Sequence, residues 1–176
     1  VEHRLGLARG AADLVLVANV GGDAGDLIAM PFLQPGEVLL DAGPRERIID
    51  DHFMAEPQTV GDAFDVVVCN FSILGDNLTP LVSACVHVLA AHGKLIIQTV
   101  HPFADSTTGA YEDSWRTETF DAFGKAFNAP MPWYFRTVGS WVNGMARGGL
   151  RIDALHEPLH PQTQRPLSLI LIGSRA

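Results

Sequence analysis

The fold class of this chain is decided by residues 64–102, FDVVVCNFSILGDNLTPLVSACVHVLAAHGKLIIQTVHP. Residues 66–68 are three consecutive valines, a β-branched run typical of a parallel strand that is buried on both faces. Residues 77–79 supply N-cap candidates and Pro80 suits the first helical turn, so a helix is expected to begin here. Apolar residues then recur at helical spacing, and we expect the helix to stop at Gly93.

A second buried strand follows this helix. It opens with the apolar residues 95–97 and ends before a His-Pro pair. A strand–helix–strand unit with two such apolar strands belongs inside an α/β sheet, and ligands of these sheets sit beyond the carboxyl ends of the strands. The sequence therefore predicts a ligand site at residues 70–71 and 99–101.

Composition limits the class of protein. The chain has 176 residues, of which 47% are hydrophobic and 18% charged, as expected of one globular domain. A formal net charge of −8 argues against nucleic-acid and anionic-membrane partners, which need a basic footprint. No run of about 18 apolar residues is present to span a bilayer. Cys69 and Cys85 fall on apolar faces, so we expect buried free thiols and a cytoplasmic location.

The first third of the chain contains a candidate nucleoside site. Residues 14–20 read as a strand that ends in a glycine-rich turn, and residues 37–40 read as a second strand that ends at Asp41. Such a turn lets backbone N–H groups approach a ligand, and an acid after the next strand suits ribose hydroxyls. The alternatives are ordinary turn glycines and a helix-capping Asp41. Residues 44–49 are expected to form a short helix that begins at Pro44.

Aromatic residues concentrate between residues 103 and 136 without a clear helical or strand periodicity. This pattern indicates an insertion that lies over another part of the domain. Residues 140–148 then predict a helix, and residues 150–156 and 167–173 predict two strands.

Taken in order, these features resemble class I S-adenosylmethionine-dependent methyltransferases, in particular small bacterial members that act on small molecules. Residues 64–71 are similar to the family's fourth strand and the following loop, and residues 88–95 to the turn into its fifth strand. Residues 98–102 resemble the end of that strand. Residues 130–141 and 157–173 resemble a subgroup in which an aromatic-rich cover precedes the last two strands.

This resemblance implies an α/β, three-layer Rossmann-like methyltransferase fold whose sheet is mostly parallel, with one antiparallel strand near the C-terminus. Residues 1–176 would form one domain, with residues 103–136 as its aromatic-rich cover. The implied cofactor is S-adenosylmethionine, and the reaction is methyl transfer to oxygen or nitrogen of a small organic acceptor. The cofactor-binding residues would be Gly21, Gly22, Gly25, Asp41, Asn70 and Phe71.

The acceptor side has its own candidates. We expect Tyr134 and Arg136 to face the pocket, with Arg136 meeting an anionic group, and Tyr111 and Trp115 to contribute to the same cover. Trp133 and Phe135 are expected to be structural. The alternative is that all these aromatics pack the insertion and that Arg136 pairs with a surface acid.

The predicted catalytic residues are His101, Glu157 and His160, each able to orient a substrate hydroxyl or accept its proton. The alternative for each is a loop side chain that bonds to backbone. His156 and His160 are four residues apart, but Pro158 and Pro161 exclude a helix, so no metal site is predicted.

The cofactor motif departs from the family pattern of an acid followed by G-x-G-x-G. Asn19 replaces the acid and Asp23 the middle glycine, where a carboxylate would repel the carboxylate of the cofactor. A catalytically degenerate methyltransferase-fold binding or scaffolding subunit is therefore a second hypothesis. A nucleotide-dependent oxidoreductase, which uses a similar turn and acid, is a third hypothesis.

A homodimer is compatible with the sequence, which does not determine the oligomeric state.

Overall fold

The structure, a computed structural model, describes residues 14–17, 47–49, 57, 63–105, 109–118 and 131–176, the first two ranges as backbone alone. In chain order its elements are β1 Leu14–Val17, β2 Arg47–Ile49, β3 Phe64–Asn70, α1 Leu78–Val88, β4 Leu89–Val100, α2 Pro102–Asp105, β5 Ser114–Glu118, β6 Met131–Phe135, α3 Val138–Arg147, β7 Leu150–His156 and β8 Ser168–Arg175.

Within these ranges, six strands form a mixed sheet in the order β2-β1-β3-β4-β8-β7. The neighbours β2, β1, β3 and β4 are mutually parallel, and β8 runs antiparallel to both β4 and β7. The predicted α/β class and the strand–helix–strand unit are confirmed. In the described part of the sheet, β8 is the antiparallel strand that the sequence predicts near the C-terminus.

One face of the sheet carries the hydrophobic core. Residues at alternate positions of the central strands, such as Val67, Leu95 and Leu169, are fully buried there because side chains of a strand alternate between faces. Helices α1 and α3 cover this face with residues that include Leu81 and Trp141. The described residues thus supply one helical layer, and the second layer of a three-layer fold stays a prediction.

Gly144 of α3 and Gly148, the residue that caps its C-terminus, bring the helices α1 and α3 close together. A Cβ atom at Gly144 would lie 2.4 Å from Cδ2 of Leu78, and one at Gly148 would lie 2.4 Å from Cγ1 of Val82. Because neither glycine has a side chain, the side chains of Leu78 and Val82 on α1 pack directly against the backbone at these two positions. The prediction of this helix and of its end at Gly148 is confirmed.

Two local predictions are wrong. The helix expected over residues 44–49 is replaced at residues 47–49 by β2, whose backbone pairs with β1 in parallel register. The consecutive isoleucines Ile48 and Ile49 suit a strand, since β-branched side chains lose rotamer freedom in a helix. Helix α1 does not run to Gly93 but ends at Val88, and Gly93 lies inside β4.

The thiols of Cys69 and Cys85 are both buried and free. A hydrogen bond with Cys85, together with burial, raises the pKa of the Cys69 thiol well above its usual range. Among the described residues, no helix has the length and apolar character needed to cross a membrane.

Gly93 is needed because β3 and β4 approach each other there. A Cβ atom at this position would lie 2.6 Å from the carbonyl oxygen of Phe64, which is backbone and cannot rotate away. We predict that Gly93→Ala lowers the free energy of unfolding by about 1–3 kcal/mol, the usual cost of overpacking. Chemical denaturation measures this change.

The matched control is Gly109→Ala, because among the described residues a Cβ atom there meets only the guanidinium end of Arg116, at 3.6 Å, an ordinary van der Waals distance. Its free energy of unfolding should stay within about 0.5 kcal/mol of the parent value. Equal losses in the two variants would contradict a specific close approach at Gly93.

Candidate functional site

The carboxyl ends of three neighbouring parallel strands meet at one edge of the sheet. Val17 at the end of β1 pairs with Cys69 of β3, and Asn70 pairs with Gln98 of β4. The N–H of Phe71 still donates to the carbonyl oxygen of Gln98 at 2.8 Å before the chain turns away. This carboxyl edge is where the sequence predicts the ligand, and it brings Asn70 and Phe71 next to the end of β4.

The end of β3 and the turn after it contain two buried polar atoms that have no hydrogen-bond partner in the described part of the chain. They are Oδ1 of Asn70 and Oγ of Ser72, and Ser72 is 5% exposed. Phe71 lies between them in the left-handed region, with φ of 51°, a conformation that is rare and strained for a bulky residue. Unsatisfied buried polar atoms and backbone strain cost stability, and they are typical of sites shaped for a ligand.

Ser72 was missed by sequence reasoning. A serine next to a strand end is common in turns, and nothing in the sequence shows that its hydroxyl is buried without a partner.

The loop after β3, residues 71–77, is hydrogen-bonded to the end of β6. The N–H of Tyr134 donates to the carbonyl oxygen of Leu74 at 2.7 Å, and Nη2 of Arg136 donates to the carbonyl oxygen of Gly75. The last strand of the aromatic-rich segment and the loop at the carboxyl edge therefore form one bonded unit.

Arg136 is a buried cation. It is 3% exposed, and its guanidinium carbon lies 5.0 Å from the ring centroids of both Tyr134 and Trp141. Burial lowers the pKa of Arg136, while Asp113, Tyr134 and Asp76 oppose that shift. Since its donors bond to backbone carbonyls, the contacts described for Arg136 are structural. Its predicted contact with an anionic acceptor group stays a prediction.

His101 follows β4 directly and is completely buried. Its Nδ1 accepts a hydrogen bond from the N–H of Phe103 at 3.1 Å, and its Nε2 lies 2.9 Å from Oε1 of Glu157. Because Nδ1 must present a lone pair to Phe103, the proton of the neutral ring belongs on Nε2, which donates to the carboxylate. The structure therefore brings together two of the three predicted catalytic residues.

His160 lies in the loop between β7 and β8. Its Nδ1 accepts from the N–H groups of Gln162 and Thr163 at 3.2 and 3.3 Å, so this nitrogen holds the turn. By the same argument its neutral ring carries the proton on Nε2. Of the three predicted catalytic residues, Glu157 is then the one whose described contacts leave a proton-accepting atom free, and its side chain is 48% exposed.

A stack of aromatic rings extends from His101 into the cover segment. Phe103 stacks on His101 with ring centroids 5.6 Å apart and on Tyr111 with centroids 5.0 Å apart. Tyr111 meets the buried Phe135 edge to face. The exposed Trp115 packs its ring against Tyr134 across the β5–β6 pair. The described part of residues 103–136 is therefore ordered by ring contacts rather than by a hydrophobic core of its own.

The cover segment is also bonded to the start of α3. The hydroxyl of Tyr111 accepts from the N–H of Val138 at 3.0 Å, and Oδ1 of Asp113 accepts from the N–H of Thr137 at 3.0 Å. Oγ1 of Thr137 caps the helix by accepting from the N–H of Ser140. These bonds satisfy N–H groups that an isolated helix would leave without partners.

The glycine-rich turn and Asp41 lie outside the described residues, as do Gly21, Gly22 and Gly25. Their predicted cofactor contacts stay predictions. Among the described residues, no group of three or more His, Cys, Asp or Glu side chains is arranged to hold a metal ion.

Comparison with solved structures identifies the fold. The chain superimposes on an S-adenosylmethionine-dependent methyltransferase from Mesorhizobium loti with a TM-score of 0.56 and 14% identity, over 94% of this chain and 92% of that one. It also matches the methyltransferase CcbJ from Streptomyces caelestis, with a TM-score of 0.53 and 13% identity, over 94% of this chain and 84% of that one.

A third match is the glycopeptide N-methyltransferase MtfA in complex with S-adenosylmethionine, with a TM-score of 0.59 and 10% identity, over 96% of this chain and 89% of that one. No protein-family model and no curated protein sequence matches the chain. At these identities the comparisons show the fold alone: the chain has an α/β fold of the kind found in S-adenosylmethionine-dependent methyltransferases.

The hydrogen bonds of His101 predict which of its two ring nitrogens carries the proton. We expect a neutral ring with the proton on Nε2, and long-range ¹H–¹⁵N correlation spectra in slightly alkaline buffer detect which nitrogen is protonated. The signal is assigned by its loss in His101→Asn. Glu157→Gln should leave the tautomer unchanged, since its amide oxygen also accepts. A ring protonated on Nδ1 would contradict the bond from Phe103.

Proposed function

We propose that this protein transfers the methyl group of S-adenosylmethionine to an oxygen or nitrogen atom of a small organic acceptor. The observation that carries the proposal is a pair of buried polar atoms, Asn70 Oδ1 and Ser72 Oγ, at the carboxyl edge of a sheet with a methyltransferase-like fold. Neither atom has a partner among the described residues. In open α/β sheets this edge is where ligands bind.

The residues present fit the proposed cofactor at this edge. Oδ1 of Asn70 is an acceptor that needs a donor, and the cofactor offers an ammonium group, ribose hydroxyls and an adenine amine. Asn70 and Phe71 would line the cofactor's flank, Gly21, Gly22 and Gly25 would contact its methionine end, and Asp41 its ribose. The predicted three-layer arrangement belongs to the same proposal.

When bound, this cofactor supplies an already activated methyl group, so the protein mainly has to align the acceptor and exclude water. Residues 103–136 would close over the acceptor, with Tyr111, Trp115, Tyr134 and Arg136 at its wall. Glu157 is the proposed proton acceptor for the nucleophile, because both histidine candidates present an N–H. His101 holds the Glu157 carboxylate in place.

The second candidate is a degenerate methyltransferase-fold subunit that binds or scaffolds without transferring methyl groups. Asn19 and Asp23 in the cofactor motif favour it. If the purified chain binds the cofactor, it has not lost cofactor recognition, and the degenerate-subunit hypothesis is wrong. Co-purification with an intact homologous partner would support that hypothesis. The fold comparisons do not favour the oxidoreductase hypothesis. If the fluorescence of NADH does not change when the protein is added, that hypothesis is wrong.

Calorimetry with S-adenosylhomocysteine and S-adenosylmethionine tests the proposed function. We expect the full chain to bind both ligands, and Asn70→Ala to raise the dissociation constants about tenfold, because a bond to a charged or polar ligand group is lost. The matched control is Asn143→Ala, which removes an exposed amide on α3 and should leave affinity unchanged. Absence of heat with folded protein at millimolar ligand would defeat the proposal.

A further inference from the structure

We infer that the methyl acceptor is an amine, which the carboxylate of Glu157 and the exposed rings of Phe103 and Tyr111 recognise. The inference rests on the proposed function and narrows the acceptor atom from oxygen or nitrogen to nitrogen. The three side chains are connected through the buried His101, which bonds to Glu157 and stacks against Phe103.

Glu157 lies at the same edge of the sheet as Asn70. Strand β7 runs parallel to β4, because both are antiparallel to the strand β8 between them. Asn70 pairs with Gln98, Gln98 with Ile170, and Ile170 with His156, the residue before Glu157. This row spans three strand spacings, about 14 Å. A cofactor at Asn70 and an acceptor at Glu157 would therefore meet above the end of β4.

His101 holds one oxygen of the Glu157 carboxylate and leaves the other available. Oε1 of Glu157 accepts from Nε2 of His101 at 2.9 Å, and no other described side chain bonds to this carboxylate. His101 is completely buried and its Nδ1 accepts from the N–H of Phe103, so the ring cannot turn without breaking both bonds. Oε2 of Glu157 is therefore positioned as an acceptor for an N–H group of a ligand.

Phe103 and Tyr111 place aromatic rings beside this carboxylate. Phe103 is 57% exposed and Tyr111 42% exposed, and their ring planes lie within 7° of each other. The bond from Nε2 of His101 lies in the imidazole plane, whereas Phe103 stacks over the imidazole face, so Glu157 lies beside the stack. A carboxylate next to exposed rings favours a cation, because the face of an aromatic ring carries partial negative charge.

Methyl transfer to nitrogen creates positive charge where these groups stabilise it. The lone pair of a neutral amine forms the N–C bond while the S–C bond of the cofactor breaks, and the electron pair of that bond stays on sulfur. The positive charge thus moves from sulfur to nitrogen, and the methylated nitrogen then loses one proton to Oε2 of Glu157. Transfer to a hydroxyl would develop negative charge on oxygen, which the same carboxylate repels.

The described cations of the cover segment are engaged elsewhere. Arg136 donates to backbone carbonyls, and Arg116 donates to the carbonyl oxygen of Ala110 and lies over the ring of Phe135. Neither guanidinium forms an ion pair with Glu157 among the described residues. The formal net charge of −8 also attracts a cationic ligand rather than an anionic one.

Calorimetry with three probes of similar size tests the inference: phenethylamine, 2-phenylethanol and 3-phenylpropionate. At neutral pH they carry an ammonium, a hydroxyl and a carboxylate group, and each is titrated into the full chain saturated with S-adenosylhomocysteine. We expect phenethylamine to bind about tenfold more tightly than either of the others, because it alone gains a bond between opposite charges at Glu157.

Two variants locate this preference. Glu157→Gln should weaken binding of phenethylamine about tenfold and that of 2-phenylethanol less than about twofold, since its amide oxygen still accepts from His101. Phe103→Leu keeps an apolar side chain and should weaken phenethylamine about threefold. The matched control is Asp65→Asn, which removes the same charge from an exposed residue near the start of β3 and should leave all three affinities unchanged.

The inference and the proposed function fail separately. If the parent chain does not bind S-adenosylhomocysteine, the proposed function fails. If the parent binds it but prefers 2-phenylethanol or 3-phenylpropionate, or binds none of the three probes at millimolar concentration, the amine acceptor is wrong and the methyltransferase assignment stands. Equal losses of phenethylamine affinity in Glu157→Gln and Asp65→Asn would also overturn the inference, since they would reveal a general charge effect.

Discussion

The parallel pairing of β3 with β4 is the constraint on which the described site depends. Both strands contribute buried residues to the core, and Gly93 allows the backbone of β4 to approach the carbonyl of Phe64 more closely than any side chain would permit. This pairing continues to Gln98, which fixes the points at which the two strands leave the sheet. The turn that carries Asn70 and Ser72 and the buried His101 consequently lie at one edge.

The described parts of the segments above this edge are held by polar bonds and ring contacts rather than by a separate hydrophobic core. Hydrogen bonds from Arg136 and Tyr134 connect the loop after β3 to the end of β6. His101 binds Glu157, accepts from Phe103 and stacks against its ring. Because Arg136 donates to backbone carbonyls and both ring nitrogens of His101 are engaged, the described role of these two residues is positional. Among the described residues, the buried side-chain atoms without partners are on Asn70 and Ser72, which is why we propose ligand recognition there.

The sequence predicts the fold well where hydrophobic periodicity is strong, from β3 through α1 to β4 and from α3 through β7 to β8. It fails at Ile48 and Ile49, where a short segment becomes a strand only because β1 offers a partner, and at Gly93, whose role depends on a carbonyl distant in sequence. Strand ends correctly predict the carboxyl edge. The burial of Ser72 and the engagement of both nitrogens of His101 arise from tertiary contacts, which periodicity and motifs do not encode.

The central claim is that the carboxyl edge of the sheet recognises a nucleoside cofactor. Backbone amide shifts measured by NMR during titration with S-adenosylhomocysteine test it most directly. The account predicts that the amides of Phe71, Ser72 and His101 shift, while those of Lys94 and Asp153, which form an ion pair from the middle of their strands, do not. Saturating ligand that leaves the first three amides unchanged, or that shifts only the latter two, would contradict it.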